Sequence, residues 1–462
     1  MKILFIQPSH NYFQLCPPLG LGYLTSYLLS KQPAHQISIL DLAVERVNLV
    51  DHLQTLRPDL IGINCSTPSL TNFISTVQVC RNTLPKTPIV VGGPHVTAVR
   101  EEIFKYPVDV AVVSEGEEAF FEVVQAYENK FSWDEIKGII FKQGEIHTSS
   151  PRKYIESIDS IPFPARHLYK MDRYNTPGAI ISSRGCPFQC IFCSQTFGRT
   201  WRGHSAKYVI SEIQEMVERH GLRSLRFMDD NPFVKKDRMI EICDLIIDRG
   251  LFKKINIDFN SGIRADLIDD ELLIKMKKAS VKTVYIGLES ADENVLKGIK
   301  KGVTAEQVKE AVNLCKKHHI FVEIFVTIGM PNDSFEANKR TIDFAKKMNV
   351  DLVIPAIAMP YPGTPLFDWV DKSGRWLNKD YSTWWGHMDV GLSVPFDTPD
   401  FPAEQRIEAY RLWWQFYLRK NLKNALRHPL KVFSFAVKNP KAIPDTIKRT
   451  RAYVGMKLRS SK

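Results

Sequence analysis

Two blocks of short β-branched runs, each alternating with helical segments, set the limits on what this 462-residue chain can become. In the first block, Lys2–Ile6, Ile37–Asp41, Leu60–Asn64, Pro88–Gly93 and Val108–Val113 read as strands, with Leu19–Leu29, Val50–Leu56 and Leu70–Leu84 as helices between them. Apolar strands separated by helices predict a parallel, doubly wound α/β sheet, which takes ligands at the carboxyl ends of its strands. In the second block the strands are Ala179–Ser183, Ser224–Met228, Ile255–Phe259, Thr283–Leu288, Phe321–Thr327 and Leu352–Met359. Six such strand–helix units predict a partial TIM-type (βα)6 barrel, whose active residues lie at the carboxyl ends of its strands. The expected domains are 1–130, a linker with a hairpin over 131–170, the barrel over 171–370, and a helical, basic C-terminal region over 371–462.

The loop after the first barrel strand carries Cys186-Pro-Phe-Gln-Cys190-Ile-Phe-Cys193. Three thiolates at this spacing suit three irons of a four-iron cluster and leave the fourth iron open to a small molecule. The competing readings are a zinc knuckle and three buried thiols. A closed zinc site takes four ligands, and the nearby candidate for the fourth is His204, beyond a Gly/Arg-rich stretch. The other cysteines, Cys16, Cys65, Cys80, Cys243 and Cys315, are scattered and read as small buried hydrophobes.

The triplet, preceded by Ser182-Ser183-Arg184-Gly185, resembles that of the radical S-adenosylmethionine (SAM) enzymes. The resemblance implies a 4Fe-4S cluster on Cys186, Cys190 and Cys193, with SAM on the open iron. It also implies SAM contacts at successive strand ends: Phe192 on the adenine side, Asp229 and Asp230, Arg264, Glu289 and Ser290, and Gly329. The first block is similar to the cobalamin-binding domain. Ser66 after the third strand and Gly92-Gly93 after the fourth stand where that family lines the pocket for the nucleotide tail. Ser114, Glu115 and Gly116 occupy the next loop at the same sheet end. The family's Asp-x-His-x-x-Gly is missing: His10 is present without the Asp or the Gly. The preferred inference is that no protein histidine binds cobalt. The alternatives are His10 in an unusual role, or loss of cobalamin.

Together these features imply a cobalamin-dependent radical SAM enzyme, cleaving SAM reductively to a 5′-deoxyadenosyl radical and methylating an unactivated carbon. Ring cyclisation or rearrangement with the same cofactors, as on tetrapyrroles, is the nearest alternative. Methylthiotransfer would need a second cluster, formally on Cys16, Cys65 and Cys80. A non-catalytic cluster protein is the remaining reading.

Charge is concentrated at one end. Residues 401–462 hold 15 Lys/Arg against 3 Asp/Glu, while the rest holds 47 against 48. Arg411-Leu-Trp-Trp-Gln-Phe-Tyr-Leu-Arg-Lys420 begins an aromatic, basic helix. Such a helix either lies on an anionic membrane surface or packs Trp413, Trp414, Tyr417 and Phe433 over the barrel; packing is the favoured reading. No run approaches the roughly 18 apolar residues of a membrane span. The expectation is a cytoplasmic enzyme with peripheral membrane contact left open. It would take a small hydrophobic substrate, a lipid or tetrapyrrole, and an external one-electron donor, with no nucleic acid.

Overall fold

The computed structural model describes residues 1–10, 16–381, 383–384 and 393–427. The first sheet has seven strands: β1 (Lys2–Gln7), β2 (Gln36–Asp41), β3 (Leu60–Asn64), β4 (Ile89–Gly92), β5 (Val110–Val112), β6 (Ile139–Gln143) and β7 (Glu145–Thr148). Their order is 2-1-3-4-5-6-7, parallel through β5 and antiparallel for the last two. Helices cover both faces, so along β1 Ile3 and Phe5 enter one apolar cluster and Leu4 and Ile6 the other. The hairpin expected in the linker instead extends this sheet: Val110 pairs with Phe141 and Val112 with Ile139. Ile139, Ile140 and Phe141 are buried, while every residue of β7 is exposed and blunts the edge.

The second sheet joins β8 (Ala179–Ile180), β11 (Ser224–Phe227), β12 (Asn256–Ile263), β13 (Val281–Glu289), β14 (Phe321–Ile328) and β15 (Leu352–Ile357). All six strands are parallel. Between β8 and β11, β9 (Ser183–Arg184) pairs antiparallel with β10 (Arg202–Gly203), and the cysteine loop lies between them. Short β16 (Arg375–Trp376) and β17 (Phe396–Asp397) form a separate pair.

Side chains cap most barrel helices. Ser205, Asp269, Asp292, Thr304, Ser334 and Thr364 each accept a backbone N–H from the first turn of the helix that follows.

The helix Ala403–Arg427 packs on β15, β14 and the helix Phe335–Lys347. Trp413 and Trp414 are buried, and the Trp413 indole donates to Asn338 Oδ1 at 3.2 Å. Trp413 therefore belongs to the barrel core rather than to a lipid-facing surface. Phe433 lies outside the described residues. Among those described, no helix is long and apolar enough to cross a membrane.

Candidate active site between the two sheets

Loops at the carboxyl ends of both sheets line one cavity of about 370 Å³. The first sheet contributes Asn64, Gly92, Gly93, Ser114, Glu115 and Gly116; the barrel side contributes Arg184, Thr196, Phe197 and Asp230. At the end of β4 the chain turns through Gly93 at φ +106°. A Cβ there would stand 2.3 Å from Asn64 Oδ1 and 2.8 Å from the Cys65 carbonyl, so a side chain is excluded. Gly92 meets only ordinary contacts and leaves its side of the cavity clear. Ser66 does not line the cavity. Its hydroxyl lies 2.9 Å from Ser69 Oγ in a capping box, and Asn64, which donates to Gln7 Oε1 at 2.7 Å, holds the cavity edge instead. A mostly apolar cradle with glycine at its rim suits a large, largely uncharged ring system, and the residues fit cobalamin. His10 is partly buried, and burial lowers its pKa to about 4, so it stays neutral.

The cysteine loop is anchored along its length. Cys186 N–H donates to the Gly198 carbonyl at 3.2 Å, and Ile191 N–H to the Ile299 carbonyl at 3.2 Å. Gly185 turns at φ +79°, and a Cβ there would stand 2.3 Å from the Thr200 carbonyl. Among the described residues no three histidine, cysteine or carboxylate donors stand already gathered around one metal-sized point. Surrounding protein and the neighbouring thiols push Cys193 up to about 12, although its side chain opens to the surface. Soft, clustered sulfur donors on a loop beside a cavity fit an iron–sulfur cluster, which would hold them as thiolates. His204 takes no part: it stacks on Tyr208 at 3.8 Å and faces Asp159 at 3.1 Å. Cys65 and Cys80 are wholly buried in the apolar core, where burial pushes both thiols up, Cys80 to about 12. That environment disfavours a second cluster on them.

Charged groups ring the barrel mouth. A register shift in β13 at Gly287 and φ +60° at Glu289 re-aim the Glu289 carboxylate. It accepts from Lys301 Nζ at 2.8 Å and from Thr327 Oγ1 at 2.7 Å. The pair fills the space that a side chain at residue 287 would need, each atom 2.5 Å from a Cβ placed there. Burial opposes the Lys301 charge, but the Glu289 carboxylate holds the ammonium above its ordinary range. The Lys301 ammonium stands 5.8 Å from the Phe192 ring, which packs in one cluster with Met330.

Arg264 lies 3.7 Å above the ring of Phe188, inside the cysteine loop, and forks onto Asp266 at 3.0 and 2.8 Å. Asp229 is buried and accepts from Ser182 and Ser183 at 2.7 and 2.6 Å, leaving Oδ2 without a partner; burial raises its pKa. Asp230 accepts from Gly185 N–H at 2.9 Å, and burial raises it as well. Gly329, at φ +89°, donates to Asp333 at 2.7 Å.

Besides Ser66, two more expected site residues have their polar atoms engaged elsewhere. Ser290 Oγ lies 3.3 Å from Thr341 Oγ1 and accepts from Asp292 N–H. Glu115 lines the cavity but commits its carboxylate to Arg184, Arg202 and the Ile155 N–H. Sequence reasoning missed Asn64 and Lys301. Asn64 ends a strand on the cavity side, a signal the period-2 pattern carries. Nothing local marks Lys301.

Residues 180–345 match the family model of the radical SAM superfamily, and residues 10–124 that of the B12 binding domain. The chain is 34% identical over 427 residues to an uncharacterized methyltransferase of Pyrococcus horikoshii, spanning 89% of this chain and 90% of that protein. It is 30% identical over 386 residues to an anaerobic magnesium-protoporphyrin IX monomethyl ester cyclase of Cereibacter sphaeroides, spanning 79% of this chain and 63% of the cyclase. Its fold is similar to that of the radical SAM methyltransferase TsrM from Kitasatospora setae, solved with cobalamin and a 4Fe-4S cluster bound. The TM-score is 0.67 at 16% identity, over 79% of this chain and 73% of that one.

Proposed function

The chain belongs to the cobalamin-binding radical SAM family, and from that premise we propose that it methylates an unactivated carbon of a hydrophobic small molecule. The observation that carries this reading is the cavity that both halves line, walled by Gly92 and Gly93 on one side and by Arg184, Thr196 and Asp230 beside the cysteine loop on the other. When bound, the cluster with SAM supplies a 5′-deoxyadenosyl radical and cobalamin supplies the methyl group. Cys186, Cys190 and Cys193 would hold the cluster. Phe192 and Gly329 would offer the adenine an apolar wall and a bare backbone. Lys301 and Glu289 would meet the charged end of SAM, and Asp229 and Asp230 would face its amine. Arg264 would stiffen the loop through Phe188. Asn64, Gly92, Gly93 and Ser114 would seat cobalamin, and the buried contacts between the sheets would keep water out.

The substrate class is read as hydrophobic because the cyclase relative acts on a porphyrin ester. That likeness also favours the second reading, ring closure without methyl transfer. Anaerobic reconstitution with iron, sulfide and hydroxocobalamin, followed by analysis of SAM products, tests both. Methyl transfer is expected to give cobalt near one per chain, both 5′-deoxyadenosine and S-adenosylhomocysteine, and a product heavier by one CH2. Deoxyadenosine alone with a turned-over substrate would favour ring closure. A chain that takes up no cobalt would sink both.

A further inference from the structure

The neck of the cysteine loop carries two buried arginines opposite each other. Arg184 on β9 and Arg202 on β10 are cross-strand partners, 2% and 8% exposed. Like charges in that relation repel, and burial strengthens the repulsion. Both are neutralised from the other sheet. Glu115 accepts from Arg184 at 3.0 Å and from Arg202 at 2.8 and 2.9 Å; Glu117 accepts from Arg184 at 2.6 Å. Burial pushes the Glu117 carboxyl up, but the Arg184 charge outweighs it and holds the group below its ordinary range. The Ser114 hydroxyl adds a bond to the Thr196 carbonyl at 3.1 Å, inside the loop. The loop after β5 therefore supplies the counter-charge that the cysteine loop lacks.

We propose that Glu115 is a positioning residue for the cluster: by bridging Arg184 and Arg202 it makes closure of the Cys186–Cys193 loop conditional on docking of the N-terminal sheet. The inference rests on the cluster reading given above. Glu115 and Arg184 also line the cavity, so a cofactor seated there touches both halves of the bridge and favours the docked state.

The test uses the full-length chain, reconstituted anaerobically, as wild type, Glu115→Gln and the double variant Glu115→Gln/Arg202→Gln. Iron per chain and the visible absorption of the cluster are measured beside trypsin cleavage after Arg199, an exposed site in the loop. Glu115→Gln is expected to lose iron about threefold or more and to cleave faster at Arg199, because Arg202 then loses the carboxylate it donates to while Arg184 keeps Glu117. The double variant leaves Arg184 with Glu117 and is expected to recover iron and protection. It carries the test even if the single variant fails to fold. Wild-type iron and wild-type cleavage in Glu115→Gln, or a double variant as poor as the single, would overturn the proposal. A wild-type chain that takes up no iron would instead remove the cluster reading, and cleavage at Arg199 would still decide whether Glu115 closes the neck.

Discussion

The two sheets meet end to end, yet their ends are built in opposite ways. The first sheet finishes in the small, uncharged Asn64, Gly92, Gly93, Ser114 and Gly116, and the carboxylates there, Glu115 and Glu117, are already spent on Arg184 and Arg202. Its helices at Leu19 and Glu117 begin behind Pro18 and Gly116 with no side-chain cap, both beside the cavity. The barrel finishes in Asp229, Asp230, Arg264 and the Glu289–Lys301 pair, and most of its helices carry their own caps. An uncapped helix end leaves N–H groups for a guest, whereas a capped one is complete. One end thus receives a guest by shape and backbone, and the other by fixed charge. The cofactors assigned to them differ in the same sense, a bulky ring system against a small zwitterionic sulfonium.

Lys301→Met gives the largest break. It strips the partner from a buried carboxylate, which is expected to cost about 3–5 kcal/mol of stability. The loss falls on the barrel: thermal unfolding should come earlier and SAM cleavage should drop, while cobalamin uptake by the surviving folded chain stays near wild type. Equal loss of cobalt and SAM cleavage in that fraction would mean that the two ends are not chemically separate.

Gly93→Ala is the converse. A Cβ placed 2.3 Å from Asn64 Oδ1 on a backbone at φ +106° is expected to cost about 2–4 kcal/mol, confined to the rim of the first sheet. Cobalt per chain should fall severalfold with iron per chain unchanged. Retained cobalt would show that the turn after β4 does not shape the pocket.

Positions of strand ends were legible in the sequence, and with them the fold class, because strand and helix periods differ and glycine marks turns. Pairings between distant segments were not. Ser66 reads as a pocket hydroxyl until the chain turns it onto Ser69, and Asn64 two residues earlier takes the edge. Glu115 reads as a pocket acid, but its partners lie 69 and 87 residues away. The hairpin at β6 and β7 carries a local turn signal and no sign of which sheet it joins. Packing was the favoured reading for the C-terminal aromatics, and Trp413 is a core residue, but no local signal names Asn338, the partner its indole finds across 75 positions. Local chemistry says what a residue can do, and long-range packing decides whether it is free to do it.

The smallest effect concerns the inner face of the barrel, which has no counterpart in the first sheet. Along β14, Val322, Ile324, Val326 and Ile328 are buried, while Glu323, Phe325 and Thr327 share the face on which Thr327 meets Glu289. Glu323 is raised from 4.5 to about 7, first by burial; Asp258 and Asp351 add to the rise, and Tyr285 and Arg226 oppose it. A carboxyl raised on folding binds its proton more tightly in the folded chain. Its contribution to stability is full below the unfolded value and is lost as pH climbs through about 7. Glu323→Gln removes the titration, so the variant should gain on wild type as pH rises from about 4.5 to about 7 and level off above that, by on the order of 3 kcal/mol in total. Asp41 and Asp333, both raised to about 6, titrate in both proteins and cancel in the difference. Parallel unfolding profiles across that range would mean that water reaches Glu323 and that the lower half of the barrel is wet. A widening gap would place a dry, proton-holding floor beneath the charged mouth, a feature the backbone-lined cavity of the first sheet does not need.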